Sequence, residues 1–398
     1  MNQAIESPQR LITELQTRGL RLTRPDQRHV ARRGGAGPSD HQAVTVDGTT
    51  VMVPIYTESA WESPFEVESL KDGEQIVQQT DAQLIPLKNV SFTSEPQFYS
   101  GQTADGVPYS HIATLHSRDV LATTILQTCI RYESRRKACK FCSIGQSLRA
   151  GRTIAEKTPA QLAEVARAAV ELDGVSQMIM TTGTPATPDR GAKVMADSAR
   201  AIKAVVNIPI QGQCEPPKDP SWYQVMKDAG IDSLGIHIEV LDQKLREEIL
   251  PGKAEDTLED YIEAFKQAVV VFGRGQVSTY ILAGLGDRRE FILEVSQRLI
   301  EIGVYPFVVP FVPIRGTPLE DHPSPSPEFM ESILKPLGKA LFDAGMTSDT
   351  GKAGCSKCGA CSTLSEYEKA AAREAGLVED ASSRRIETSP VRLSGACN

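Results

Sequence analysis

The sequence predicts an α/β protein: a partial (β/α)6 parallel barrel with a small N-terminal β-rich or α+β unit and a Cys-rich C-terminal tail. Three observations carry this reading. From about Asp119 onward, six apolar runs alternate with amphipathic helical segments. The runs are almost continuously apolar, as strands of a parallel sheet covered on both faces are, rather than alternating. Six such β/α units fit into about 200 residues, the repeat that winds a parallel sheet into an open or partial barrel.

Taken in order, residues 9–18 read as a helix leading into the basic run Arg32-Arg33-Gly34-Gly35-Ala36-Gly37-Pro38, a loop by its Gly and Pro content. The segment Ala43-Val44-Thr45-Val46-Asp47-Gly48-Thr49-Thr50-Val51-Met52-Val53-Pro54 is two β runs around an Asp-Gly turn, a hairpin signal. These place the front unit over residues 1–115. The barrel is expected over 116–322, with β runs at 120–127, 175–181, 208–214, 231–238, 277–283 and 304–312. Its first helix opens on Thr158-Pro159-Ala160-Gln161, with an N-cap Thr, Pro at the first helical position and a capping-box Gln. Leu162, Val165, Ala169 and Leu172 then recur at helical spacing and are expected to face the sheet. Further helices read over 192–205, 258–271, 289–302 and 329–344. Residues 323–398 form a helix and Cys-rich extension, with a short helix at 365–375 and a polar end.

Lys and Arg number 43 against 51 Asp and Glu, a net charge of −8, which argues against a nucleic-acid partner held by phosphate contacts. The longest apolar stretch, 304–314, is broken by Pro306, Pro310 and Pro313 and falls short of the ~18 residues of a membrane span. The first seven residues carry an early acid and no apolar core of a signal peptide, so the expected location is cytoplasmic. Thiols stay reduced there, and clustered cysteines are more often metal ligands or catalytic groups than disulfides.

Six of the eight cysteines fall into two groups, Cys129, Cys139, Cys142 and Cys355, Cys358, Cys361, leaving Cys214 and Cys397. Three thiolates from one loop at a strand end can hold three irons of a [4Fe–4S] cluster and leave the fourth iron open, which makes such a cluster catalytic. A structural zinc with a fourth protein ligand and three unrelated cysteines are the competing readings. In the second group, Gly354 and Gly359 permit tight turns, and the spacing suits an auxiliary iron–sulfur cluster with Cys397 or a substrate atom as fourth ligand. A zinc knuckle or incidental thiols are the alternatives there.

Cys129, Cys139 and Cys142, with Phe141 just before the last, resemble the cluster-binding loop of the radical S-adenosylmethionine (SAM) superfamily. The superfamily usually spaces these cysteines by three and two residues; here the first gap is nine. The resemblance runs from about residue 119 to 320. It implies a [4Fe–4S] cluster, SAM, a small-molecule substrate and a flavodoxin- or ferredoxin-type reductant. Phe141 matches the position that packs near the adenine of SAM. Thr181-Thr182-Gly183-Thr184 matches the element that receives the SAM amino group, without its Glu. Gln211, Gln213 and Glu215 match polar groups that reach the SAM ribose or carboxylate. His237 and Glu239 resemble the His-Asn-Leu-Asp/Glu element of biotin and lipoyl synthases, Gly284-Leu285-Gly286-Asp287 the adenine-side turn, and Gly316-Thr317-Pro318-Leu319 the closing segment. More narrowly, residues 126–132, 151–155 and 180–191 are similar to radical SAM proteins encoded in bacterial nitrilase-containing gene clusters.

The implied function is a radical SAM enzyme that cleaves SAM reductively and abstracts a substrate hydrogen. Sulfur insertion of the biotin- or lipoyl-synthase type and a non-catalytic metal-binding scaffold are the alternatives. Bland readings stand beside the sharp ones for single residues. Arg131, Arg135, Arg136 and Lys137 favour a reductant or form a solvated basic loop. His237 is a site residue or a core imidazole; His111 and His116 approach the barrel mouth or pack between units. Glu215, before Pro216-Pro217, has its backbone held extended. Cys214 reads as a small buried hydrophobe, and Arg246, Lys253 and Arg315 as substrate anchors or surface salt bridges.

Overall fold

The computed structural model describes residues 7–22, 36–71, 73–80, 83–134 and 136–377. Residues 32–35 of the basic run, Arg135 and Cys397 lie outside the described residues.

The helix Pro8–Arg18 starts where Ser7 accepts a hydrogen bond from the Arg10 amide and ends at Gly19, whose φ is 78°. It covers a six-stranded sheet made of β1 (Arg21–Leu22), β2 (His41–Val46), β3 (Thr49–Pro54), β4 (Phe65–Leu70), β5 (Gly73–Gln79) and β6 (Leu84–Phe92), in the order β1-β4-β5-β6-β2-β3. The β2–β3 hairpin forms as expected. Asp47 and Gly48 both have positive φ, 50° and 81°, the primed-turn geometry that matches strand twist. Leu11, Leu15, Val44, Val53, Phe65 and Ile76 form a separate small core between helix and sheet.

The second sheet has seven strands: β7 (Thr114–His116), β8 (Val120–Thr124), β9 (Gln177–Thr181), β10 (Ile210–Gln213), β11 (Ser233–Gly235), β12 (Val277–Ala283) and β13 (Val304–Pro310). Strands β8 to β13 lie in sequence order and pair in parallel, so the six apolar runs become six neighbouring strands. Helices return the chain between them, and the sheet curls into a partial barrel with β7 and β13 as its edges. The short β7, antiparallel to β8, was not expected; it is too brief to show a periodicity. Nor were the helices Ser221–Asp228 and Gln243–Ile249.

The helix Pro159–Asp173 carries the capping box, with both reciprocal hydrogen bonds formed, and stops at the left-handed Gly174. Leu162, Val165 and Ala169 are fully buried, each larger side chain contributing about 1.5–3 kcal/mol. Leu172 is 48% exposed, against expectation, because it lies at the margin of the apolar stripe in the helix's last turn. Among the described residues no helix is long and apolar enough to cross a membrane.

The fourth run is the irregular one. Its ladder ends at Gly235, and residues 236–239 continue beside β12 through Ile236 N–H to Ser278 O and Glu239 N–H to Tyr280 O. Here Glu239 adopts a φ of 60°. The carbonyls freed by this departure are taken by basic side chains. Arg246 donates to Ile238 O and Val240 O at 2.9 and 2.8 Å, and to Lys253 O and Asp256 O at 3.1 and 3.0 Å. Its guanidinium, 0% exposed, lies 5.0 Å over the Tyr261 ring. Arg246 is therefore neither of the things its sequence context suggested: it is an internal brace, placed where a basic side chain can answer several carbonyls at once. Replacing Arg246 by Met should strand the Val240 and Asp256 carbonyls, leave those of Ile238 and Lys253 with one backbone donor each, and lower unfolding free energy by about 3–5 kcal/mol. Urea unfolding of the two proteins checks this, and an unchanged midpoint would contradict the bracing role.

Candidate functional site

A cavity of about 410 Å³ opens between the carboxyl ends of the barrel strands and the front unit. Parallel strands lead their chains to this end, so the segments after β8, β9, β10, β11 and β13 converge on it.

Cys129 begins the loop after β8, and Cys139 and Cys142 close it; all three thiols are free and line the cavity. The loop is strapped to its neighbour by Gly183 N–H to Leu126 O at 2.8 Å and Ile130 N–H to Thr184 O at 2.9 Å. A side chain at Gly183 would put its Cβ 2.0 Å from Thr128 O and 3.0 Å from the Cβ of Cys129, so only glycine lets β9 approach the cysteine loop this closely. Burial raises the Cys139 thiol and pushes Cys142 up to about 11, each reinforced by the neighbouring thiols of the group. Phe141 packs with Val240, Leu250, Leu285 and Phe311 on the same wall.

Facing the thiols is a chain of buried charges. Arg131, which the sequence placed in a basic loop, is buried and bonded to Glu215 at 3.2 Å. Glu215 also accepts from Thr184 Oγ1 at 2.8 Å and lies 3.8 Å from Arg190, which pairs with Asp256. Burial would raise the Glu215 carboxyl, but Lys253, Arg131 and Thr184 outweigh it and hold the group below its usual range. Lys253 donates to both oxygens of Glu239 at 2.6 and 2.7 Å and to His237 O at 3.1 Å. Burial acts to lower the Lys253 ammonium, yet Glu239 more than offsets it and keeps it charged.

His237 is pushed down to about 3 by burial and by Lys253, so its ring is neutral. Its Nδ1 accepts the Tyr280 amide at 3.2 Å; the hydrogen therefore sits on Nε2, which has no hydrogen-bond partner among the described residues. A buried donor without an acceptor on the wall of a cavity is a group that awaits a ligand.

Of the residues singled out in the sequence, Cys129, Cys139, Phe141, Cys142, Thr182, Gly183, Thr184, Gln213, Glu215, His237 and Glu239 line this one cavity, and Cys355 and Cys361 of the second group line it too. Cys358 lies beside Cys361, outside the lining. Gly284 and Gly286 are also outside it. They hold φ of 108° and 112° in a turn packed on Pro325 and Leu245. Arg136 and Lys137 are exposed on the cysteine loop, and Arg315 is exposed near the cavity rim residue Ile314. Sequence reasoning missed Tyr280, His41 and Met52 as lining residues. Tyr280 sits inside an apolar strand, and the other two come from the front unit, whose docking no local pattern announces. Among the described residues no three His, Cys, Asp or Glu side chains are placed to hold a single metal ion.

Residues 135–299 match the Radical SAM superfamily, a span that contains Cys139 and Cys142 and begins just after Cys129. The chain is 25% identical over 251 residues to bacteriochlorophyllide c C-7(1)-hydroxylase of Chlorobaculum limnaeum, covering 58% of this chain and 62% of that protein's length. Among solved structures it is similar to HydG, a maturase of the [FeFe]-hydrogenase, with a TM-score of 0.44, 15% identity, and 56% of this chain and 49% of that one covered. It is also similar to methylornithine synthase, PylB, with a TM-score of 0.41, 19% identity, and 55% and 62% covered. The matched span lies within the barrel, from the cysteine loop after β8 to the helix before β13, and is similar there to the Radical SAM superfamily.

Proposed function

We propose that the chain is a radical SAM enzyme that holds a [4Fe–4S] cluster on Cys129, Cys139 and Cys142, cleaves SAM reductively, and abstracts a hydrogen from a small-molecule substrate. The observation that carries this reading is the gathering of three free thiols from one strand-end loop on a cavity whose other wall holds buried, ligand-facing polar groups. When bound, the cluster and SAM supply the electron transfer and the carbon-centred radical chemistry.

The chain's own residues position and shield. Phe141 offers an apolar face backed by Val240 and Phe311. Thr182, Gly183 and Thr184 bring backbone and hydroxyl groups to the cavity at the end of β9. Glu215, fixed by Arg131 and Thr184, presents a carboxylate that stays ionised, and Glu239 is fixed by Lys253. His237 offers its Nε2–H to an acceptor on the ligand. A cavity of 410 Å³ lies in the ~300–1,000 Å³ range of small-molecule sites. Exposed Arg136 and Lys137 beside the cysteine loop suit an acidic flavodoxin- or ferredoxin-type reductant. The narrower likeness to radical SAM proteins of nitrilase-containing gene clusters belongs to this reading, as does a metal–sulfur centre on the second cysteine group.

Anaerobically reconstituted protein should show a reduced [4Fe–4S] EPR signal that changes on adding SAM, because the open iron gains ligands. Replacing Cys129, Cys139 and Cys142 together by Ala should abolish that response; its persistence in the triple variant would refute the assignment. Phe141→Ala should leave this cluster assembled and weaken SAM binding about tenfold, the loss of one aromatic contact of roughly 1.4 kcal/mol. Titrating SAM against the EPR change measures it, and wild-type affinity would place Phe141 away from the cofactor.

A further inference from the structure

The second cysteine group is not a loose tail. Residues 352–363 enter the barrel from the amino ends of its strands. Lys352 N–H bonds Gln276 Oε1 just before β12, Gly354 N–H bonds Gln177 Oε1 at the start of β9, and Cys355 N–H bonds Gln211 Oε1 within β10. Gly354 has a φ of 96°, and a Cβ there would meet the Gln211 side chain at 2.0 Å, so the entry is shaped for glycine alone. Cys355–Cys358 then form a single helical turn, and Ser362 Oγ anchors the exit on Val308 O at 2.6 Å.

The thiols of this group are free; they pack against the barrel core and against Met52 and Ala360, and polar groups reach them as well. Gln213 Nε2 donates to Cys355 Sγ at 3.0 Å, and Gln213 is oriented in turn by Gln211, 2.7 Å away. Tyr280 lines the same part of the cavity as Cys355 and Cys361 and interacts with both thiols. From the other side, at the end of β7, His116 Nε2 lies 3.7 Å from Cys361 Sγ. The His116 ring is buried and faces the same cavity as the first cysteine group.

Two spacings decide what these groups can hold. Thiolate and imidazole bonded to one tetrahedral metal, at about 2.3 and 2.0–2.1 Å, stand about 3.6 Å apart. The Cys361–His116 pair has that separation. No three such ligands among the described residues converge on one ion, which is what a mononuclear zinc site would require. A binuclear [2Fe–2S] centre, in which each iron takes two protein ligands, uses ligands in such pairs. The other pair, Cys355 and Cys358, lies one helical turn apart, the separation that puts two side chains on the same face.

We propose that Cys355, Cys358, Cys361 and, through Nε2, His116 hold a [2Fe–2S] cluster inside the barrel, with Cys361 and His116 on one iron and Cys355 and Cys358 on the other. The donor from Gln213 stabilises the thiolate sulfur of Cys355, and the cluster faces the cavity from the end opposite Cys129, Cys139 and Cys142. The fourth ligand is then His116, not Cys397 at the chain end. The assignment does not depend on the first group holding its own cluster.

The test uses the full chain with Cys129, Cys139 and Cys142 all replaced by Ala, reconstituted anaerobically with iron and sulfide, so that only the second site is read. It should bind about two irons and two sulfides per chain and, once reduced, give an EPR signal whose pulsed spectrum shows strong nitrogen coupling. Adding His116→Cys should keep the two irons and abolish the nitrogen coupling. About four irons without nitrogen coupling, one zinc in place of iron, or no bound metal would each overturn the proposal. Wild-type protein, which needs no substitution to fold, provides the second reading. It should bind about six irons per chain if both sites fill and about two if only this one does, so a failure of the first site is told apart from a failure of the second.

Discussion

The site depends on how the protein satisfies the carbonyls left over where its fourth parallel strand departs from the sheet. An unpaired backbone carbonyl in the interior costs about as much as a lost hydrogen bond, so the departure is stable only if other donors arrive. Arg246 and Lys253 supply them to His237, Ile238 and Val240. Two buried cations bring their own penalty of several kcal/mol each. Arg246 meets it with four carbonyls and the face of Tyr261, Lys253 with both oxygens of Glu239. The left-handed backbone of Glu239 belongs to this departure, and burial beside Lys253 keeps the His237 ring neutral.

A second constraint is that a partial barrel leaves its interior open. Here the closure is made by parts distant in sequence, and the carbonyl of Ala360 is their junction. It accepts Met52 N–H at 2.7 Å and Gln16 Nε2 at 3.0 Å, so a strand and a helix of the front unit both clamp the tail. Thr363 and Thr13 extend the contact, and Arg10 reaches Glu328 and Glu331 on the helix Pro327–Asp343. Ser39 meets Ser143, next to Cys142, at 3.0 Å. The front unit is thus a wall of the cavity, and its His41 and Met52 face the same space as the cysteines.

The parts of this arrangement legible in the sequence are those governed by local periodicity and local chemistry. Six apolar runs became six parallel strands, the Thr158 capping box formed, and the Asp47-Gly48 hairpin closed. The strand-end position of Cys129, and with it the gathering of Thr184, Glu215 and His237, followed from counting the runs. What was not legible came from contacts across the chain. Arg131 and Arg246 look like surface charges because charge is read residue by residue, while burial is decided by partners more than 80 residues away or by carbonyls that carry no sequence signature. The placement of the second cysteine group inside the barrel was not legible because three cysteines and two glycines in ten residues have no periodicity; it is held there by Gln177, Gln211 and Gln276.

The charges around the cavity also bear on how it selects a ligand. Arg131, Arg190 and Lys253 are matched by Glu215, Asp256 and Glu239, so the buried ionic groups already compensate one another. Breaking any of these pairs to receive a ligand charge would leave its partner uncompensated at low dielectric, a loss of about 3–5 kcal/mol. Ligand groups therefore gain most by adding to the pairs from outside, a cation beside the ionised Glu215 or an anion beside Lys253, and not by replacing a member. The uncommitted donor, His237 Nε2–H, is neutral, and rejection of a ligand that lacks an acceptor for it rests on the cost of leaving a buried polar group unpaired. Selectivity in this cavity is consequently a matter of hydrogen-bond geometry imposed on a charge-balanced wall, and that geometry is held by the same side chains that hold the fourth strand in place.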